Sequence, residues 1–220
     1  MQIVKQSATL LSMTPASIFL IERAGRVCYK SEGKGDCSAC GSLDQVIHNF
    51  PTGRICPSCV ERAESFIRKL IDRGHESVLE HASATFLFVT DRGVTHELVR
   101  HRLCAFSQES TRYCAYDDGI QVIQPLNIKE GTPEFSCWLK TCETIDLEYR
   151  YMLDRQVPAQ WARSVLPTCL KTEIVCTANF RQIRHMIKLR TSEAAHPQIR
   201  DLFQQATARL RATLARVIFS

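Results

Sequence analysis

Basic side chains and a hydroxyl crowd together in the stretch RHRLCAFSQESTRY, which begins at Arg100 and includes Arg102 and Ser110. Glu109 is its only carboxylate. Arginine stays charged, and its planar fork binds phosphate or carboxylate oxygens in pairs. On a helix, Arg100 and Arg102 would point about 200° apart, so one solvated stripe could not hold both and some of the charge would be buried. The stretch therefore predicts an anion site, with a plain charged surface as the alternative.

Two Cys-x-x-Cys pairs form a second cluster of reactive side chains. Cys37 and Cys40 are separated by 15 residues from Cys56 and Cys59. Each pair turns two sulfurs inward, and this spacing is typical of a four-thiolate metal site. Because the protein would fill all four positions, we expect a structural site and not a catalytic one. Zinc is favoured and iron is the lesser option, while four unrelated buried cysteines are the alternative.

The other cysteines show no such spacing. The total of 11 is high and odd, and in a reducing compartment it does not indicate a disulfide framework. Free cysteine is among the most buried residue types, so most of the remainder are predicted to fill the core. They are Cys28, Cys104, Cys114, Cys137, Cys142, Cys169 and Cys176. None of them stands out as a catalytic thiol.

The composition is that of a globular protein. Of 220 residues, 45% are hydrophobic and 23% are charged, which argues against disorder or a fibre. No apolar run approaches the roughly 20 residues of a membrane helix, and the amino end lacks a secretory segment. We therefore expect a cytoplasmic protein without a membrane partner. The net charge of +5 suits phosphorylated substrates as well as nucleic acid, and does not choose between them.

The elements that must position these side chains can be read from hydrophobic periodicity. Helices are predicted from Thr14-Pro15 to Gly25, over VERAESFIRKLIDRG, from Thr95, from Thr132-Pro133, and briefly around Trp161 up to Pro167. Strands are predicted for 83–90, apolar on both faces and so buried, and for TEIVCTA, with a largely helical remainder. We expect an α/β fold, a mixed sheet packed with helices, in one domain of residues 1–220. A small zinc-ribbon-like insertion at 31–59 interrupts it.

Four blocks of sequence, in order, resemble the flavin-dependent thymidylate synthase family. Arg100-His101-Arg102, seven residues and then Ser110 resemble the family's signature. The segments RKLIDRGHESVLEHASATFLF, WARSVLPT and ANFRQIRHMIKLR look like its upstream segment, its Ala-Arg-x-x-Leu-Pro stretch and its carboxy-terminal helix. The resemblance covers nearly the whole chain apart from the cysteine insertion.

This resemblance implies a homotetramer with active sites between subunits. Each site would take FAD, dUMP, methylenetetrahydrofolate and, in turn, NADPH, and would produce dTMP and tetrahydrofolate. The family is not thought to use a cysteine nucleophile on the pyrimidine, which agrees with the lack of a convincing catalytic thiol.

The resemblance also implies roles for individual residues. Arg190 would stabilise negative charge on the uracil ring, and Ser110 would orient dUMP and not attack it, because no His/Asp pair is visible to deprotonate it. The implied FAD contacts are His75, Ser77, Glu80, Arg100, His101, Arg102, Asn179, Arg181 and His185. The implied dUMP contacts are Gln108, Ser110, Arg112, Arg163 on the phosphate side and Arg190, with Glu97 nearby.

Two features depart from the family's pattern. Glu97 stands where glutamine is usual, and a carboxylate near the dUMP phosphate is unfavourable unless it pairs with an arginine or points away. A related flavoenzyme that acts on another pyrimidine nucleotide is therefore an alternative function. The cysteine insertion is the other departure, and a nucleic-acid-binding zinc ribbon is the alternative of a different class. Its few basic residues, Lys34 and Arg54, make that alternative weak.

Overall fold

A computed structural model describes residues 1–53 and 55–219 of the chain, so Arg54 lies outside the described residues. The chain divides into two compact units. The first unit comprises Met1–Ala8, Leu87–Cys176 and Thr191–Leu202, and the second comprises Thr9–Phe86, Thr177–Arg190 and Phe203–Ser220. In the part of the chain that the structure describes, no helix has both the length and the apolar character needed to cross a membrane.

Helices and strands are interspersed along the chain. The helices are α1 (Ser17–Cys28), α2 (Leu43–His48), α3 (Pro57–Asp72), α4 (Arg92–Leu98), α5 (Pro133–Asp154), α6 (Ala159–Ala162), α7 (Phe180–Arg190) and α8 (Pro197–Arg211). The strands are β1 (Gln2–Val4), β2 (Ser7–Met13), β3 (Ser83–Asp91), β4 (Cys104–Gln108), β5 (Gln121–Ile123) and β6 (Lys171–Asn179). Short 3-10 turns cover Glu32–Gly35, Glu76–His81, Arg163–Val165 and Leu214–Ile218.

Two sheets confirm the predicted mixed α/β class. Strands β1 and β5 pair in parallel, with Gln2 opposite Gln121, and the four-stranded sheet has the order β2-β3-β6-β4. The prediction that β3 is buried on both faces was wrong. Its residues alternate between buried and half-buried positions, since the apolar residues on its less buried face are not fully covered.

In the second unit, helix α1 packs against α3. A Cβ atom added to Gly25 would lie 2.8 Å from Leu70 and Phe66 side-chain atoms, so the glycine permits close approach of the two helices. Helix α1 was predicted to end at this glycine, but it continues to Cys28. It also begins later than predicted, after Ala16 in a left-handed conformation with φ of 50°.

In the first unit, helix α5 covers an apolar core. Tyr149 and Cys142 from this helix pack with Ile120, Val122 and Leu170. The helix begins where the sequence predicts, because the Thr132 hydroxyl accepts a hydrogen bond from the backbone of the third helical residue at 3.2 Å. The proposal that residues 1–220 form one domain carrying the insertion stays a prediction.

Candidate active site and metal centre

The arginine-rich stretch lies in the first unit, where it begins as a turn after α4, continues as strand β4 and ends in a second turn. The helix ends at Leu98, so the expectation that a helix would bury part of this charge was wrong. Arg100 and Arg102 are exposed, and Leu103 is 75% exposed. His101 alone in this turn is buried, with 6% of its surface exposed.

The predicted ligand-binding arginines of this unit are all exposed, and none of them has a carboxylate partner within the described residues: Arg100, Arg102, Arg112 and Arg163. Glu109, the one acid of the stretch, accepts hydrogen bonds from Tyr116 at 2.7 Å and Lys171 at 3.4 Å. Burial and the bond to Glu109 raise the pKa of Tyr116. The guanidinium groups are therefore available to an anionic ligand.

Gln108 is the last residue of strand β4, and Ser110 follows it two positions later. The Gln108 amide donates to the hydroxyls of Thr95, at 2.9 Å, and Thr172, at 3.3 Å, and both threonines are buried. The Ser110 hydroxyl accepts a hydrogen bond from the Arg112 backbone at 3.3 Å. Among the described residues it has no histidine or aspartate beside it, so this geometry suits orientation of a ligand better than nucleophilic attack.

A cavity of about 280 Å³ in the second unit brings together three of the residues that the resemblance assigns to FAD. His75, Ser77 and Arg181 line it, and Arg181 is paired with Glu80 at 2.6 Å. Gly74 provides the turn into it with φ of 73°, a conformation that favours glycine. Tyr29 also lines this cavity, where it contacts His75.

Tyr29 was missed by the sequence analysis. Its hydroxyl lies 2.7 Å from Nδ1 of His75, and the two rings stack with centroids 6.3 Å apart. Cys28 and Gly25, also from α1 and its end, complete that wall. No local motif marks Tyr29, because its partner is 46 residues away in sequence.

Helix α7 carries the remaining predicted residues of the second unit. The Asn179 side chain accepts a hydrogen bond from the Gln182 backbone at 2.8 Å, which fixes the start of the helix. His185 is exposed, and Arg190 is half-buried at the end of the helix. Arg184 on the same helix pairs with Glu76.

The four cysteines of the insertion converge, as their spacing predicts. The sulfurs of Cys37, Cys40, Cys56 and Cys59 all lie within 4.8 Å of one another. The Sγ atoms of Cys37 and Cys56 are 3.7 Å apart, and those of Cys56 and Cys59 are 3.4 Å apart. Tetrahedral zinc with bonds of about 2.3 Å places its sulfurs roughly 3.8 Å apart, so the cluster is close to the required size.

Hydrogen-bond donors surround these sulfurs. The Cys56 backbone donates to Cys40 Sγ at 3.3 Å, and the Ser58 hydroxyl lies 3.1 Å from Cys56 Sγ. The Ser58 hydroxyl is the main cause that lowers the pKa of Cys56 to about 6, whereas burial raises that of Cys59 to about 12. Arg62 donates to Cys59 Sγ at 3.6 Å. Cys59 was expected to precede α3, but it lies within its first turn.

The expectation that most other cysteines fill the core holds for only part of the set. Cys142 and Cys176 are buried, and Cys104 and Cys169 are half-buried. Cys28, Cys114 and Cys137 are exposed, because they fall on a helix end, a turn and the outer face of α5. The average burial of free cysteine does not determine whether an individual cysteine lies on the buried or the exposed side of its element.

Comparison with known proteins places this geometry in a family. The family model described as "Thymidylate synthase complementing protein" matches residues 9–214. The flavin-dependent thymidylate synthase of Geobacter sulfurreducens is 32% identical over 195 residues, which covers 88% of this chain and 77% of that protein. The enzyme of the same name from Mycobacteroides abscessus is 37% identical over 218 residues, with 91% and 77% covered.

A solved structure shares the fold. The crystal structure of a UMP/dUMP methylase PolB from Streptomyces cacaoi bound with 5-Br dUMP matches with a TM-score of 0.77 and 23% identity, covering all of this chain and 95% of that one. The match to the family model includes the arginine stretch, the cavity residues and α7, and the two relatives cover most of the chain. The chain therefore belongs to the flavin-dependent thymidylate synthase family.

Proposed function

We propose that the protein methylates dUMP to dTMP, with FAD as cofactor, methylenetetrahydrofolate as carbon donor and NADPH as reductant. The observation that carries the proposal is that the four ligand-binding arginines predicted in the first unit are exposed and have no carboxylate partner among the described residues: Arg100, Arg102, Arg112 and Arg163. The Ser110 hydroxyl accepts a hydrogen bond from the Arg112 backbone. A nucleotide phosphate and the two phosphates of FAD are the anions that such an excess of guanidinium groups would bind. Family membership supports this choice of ligands.

The cavity of the second unit fits part of a flavin nucleotide. It presents the His75 ring, the Ser77 hydroxyl and the Arg181 guanidinium, which are donors for phosphate, hydroxyl or ring acceptor atoms. We assign FAD to these residues together with Glu80, Asn179 and His185. Arg100, His101 and Arg102 of the first unit are also assigned to FAD. In the proposed homotetramer, these three residues and the FAD-binding residues of the second unit need not come from the same chain. When bound, FAD supplies hydride chemistry.

The chain's own residues would bind and orient dUMP. Arg163 and Arg112 neutralise the phosphate. The NH2 group of Gln108 donates to Thr95 and Thr172, so Gln108 offers its amide oxygen to the pyrimidine side. Arg190 stabilises the negative charge that develops on the uracil ring. Ser110 positions the nucleotide by hydrogen bonding.

The proposed cofactor gives a direct test. Purified protein should be yellow, and its flavin absorption should bleach under NADPH. Light scattering should give about four times the 25.0 kDa chain mass, that of the proposed homotetramer. A colourless protein that takes up no added FAD contradicts the proposal.

Replacing Arg163 with alanine is expected to weaken dUMP binding about 10- to 100-fold, because a hydrogen bond to a charged group contributes about 1.5–3 kcal/mol. Calorimetric titration with dUMP measures this loss, and deoxyuridine, which lacks the phosphate, should show little difference between variant and wild type. Arg155→Ala, an exposed arginine of the same unit, is the matched control. Equal weakening for dUMP and deoxyuridine would remove Arg163 from the phosphate site.

We also propose that the four-cysteine cluster holds zinc, with iron as the lesser option. All four positions are filled by protein sulfur, so the metal is structural. Elemental analysis should find one metal ion per chain. The described part of the insertion does not support the nucleic-acid-binding alternative. It contains one lysine, Lys34, and three acidic residues, which are Glu32, Asp36 and Asp44.

Glu97 gives a reason to test other nucleotides. It lies half-buried in α4, and its backbone carbonyl accepts a hydrogen bond from the backbone N–H of Arg100 at 3.3 Å. Assays with dCMP and UMP beside dUMP establish substrate choice. If the protein turns over dCMP in preference to dUMP, dCMP replaces dUMP as the proposed substrate.

A further inference from the structure

One helix joins the metal centre to the cavity. Helix α3 has Cys56 as its N-cap and Cys59 in its first turn, and it ends at Asp72, just before the turn to His75. Its 16 residues span about 24 Å. Whatever fixes the start of α3 therefore also helps to fix the residues that follow its end.

A second helix forms the facing wall. Helix α1 packs along α3, with the close approach at Gly25, and the chain at its end supplies Cys28 and Tyr29 to the cavity. The bond between Tyr29 and His75 closes this arrangement. The width of the cavity consequently depends on how α1 lies against α3.

A buried ion cluster links the two helices beside the metal ligands. Arg62 of α3 binds Glu22 of α1 in a bidentate manner, at 3.0 and 3.3 Å, and the same guanidinium donates to Cys59 Sγ at 3.6 Å. Glu22 is fully buried and also receives two hydrogen bonds from Arg26, at 2.6 and 2.9 Å. The Arg26 guanidinium lies over the Phe66 ring, 4.6 Å from its centroid.

Charge explains why this link would respond to the metal. Binding of a divalent ion removes the protons of the cysteine thiols, so four thiolates and the ion carry a net charge of about −2. The contact from the permanently charged Arg62 to Cys59 then joins two opposite charges, so it is stronger than the same contact to a neutral thiol. Partners of this kind around ligands hold the ligands in place and tune metal affinity.

We infer that Arg62 and Glu22 couple the metal centre to the cavity: metal binding tightens the Cys59–Arg62–Glu22 chain and so fixes α1 against α3. The inference that the fixed cavity then binds flavin better rests on the proposed function. Because hydrogen-bond partners of metal ligands strengthen metal binding, the ion cluster should also raise metal affinity.

Arg62→Ala tests the coupling without leaving an unpaired buried charge, since Glu22 keeps Arg26 as its partner. Competition with a chromophoric chelator is expected to show zinc affinity about 10- to 100-fold weaker. Arg62→Lys keeps the positive charge but lacks the planar guanidinium group, so its zinc affinity should fall less than that of Arg62→Ala. Arg68→Ala, an exposed site on the same helix, is the control and should bind zinc like wild type. Wild-type zinc affinity in Arg62→Ala would overturn the inference.

Hydrogen exchange gives a readout that does not depend on flavin. Zinc should slow exchange in the peptide 22–30 in wild type and Arg68→Ala, but much less in Arg62→Ala. Unchanged exchange on zinc addition in wild type would also overturn the coupling. Removal of zinc should weaken FAD binding by about 5-fold or more. If hydrogen exchange responds to zinc but FAD does not bind either with or without zinc, the coupling stands and the proposed flavin site fails.

Discussion

Arg190→Ala should lower kcat for dTMP formation by about 100- to 1,000-fold, with a smaller effect on dUMP affinity. Removing one preorganised donor that stabilises charge in the transition state typically costs this much. Arg190 lies half-buried at the end of α7, where the helix holds its position. The measurement is the steady-state rate of dTMP production with saturating cofactors.

Two matched variants make the result interpretable. Arg190→Lys keeps the charge without the planar fork and should retain an intermediate rate. Lys188→Ala removes an exposed cation from the same helix and should leave the rate unchanged. A rate for Arg190→Ala within about threefold of wild type, where a loss of at least 100-fold is expected, would exclude Arg190 from catalysis.

The double variant Cys37→Ser, Cys40→Ser should lose the metal and much of its thermal stability. A ligand present at about 1,000 times its Kd contributes about 4.1 kcal/mol to the folded state. For a chain of this size, that corresponds to a fall in Tm of roughly 8–16 °C. Elemental analysis and differential scanning calorimetry measure the two effects.

Cys114→Ser with Cys137→Ser is the control for this pair. Both cysteines are exposed and lie outside the metal cluster, so the control should keep its metal and its Tm. If the Cys37/Cys40 variant unfolds at the wild-type temperature with its metal content unchanged, the cluster is neither a metal site nor a structural one.

Periodicity and spacing predicted the long elements and the metal cluster. Helices α3 and α5 and strand β6 follow the predicted segments, because their patterns are long or bounded by clear signals such as Thr132-Pro133. The four cysteines converge because C-x-x-C turns act locally, and a loop of 15 residues can close on itself. These signals lie within short windows of sequence.

The sequence failed where a position depends on tertiary packing. Arg100 and Arg102 were expected on a helix that in fact ends at Leu98, so their charge is exposed and not buried. The contact between Tyr29 and His75 and the Arg62–Glu22 pair join residues about 40 or more positions apart. Long-range pairs of this kind leave no trace in local periodicity.

The most direct test of the account is the conversion of dUMP to dTMP by the purified protein supplied with FAD, methylenetetrahydrofolate and NADPH. The account predicts that dTMP appears, identified by mass spectrometry, and that omission of any one of these components abolishes it. Folded protein that binds FAD and dUMP but forms no dTMP under these conditions would contradict the proposed reaction.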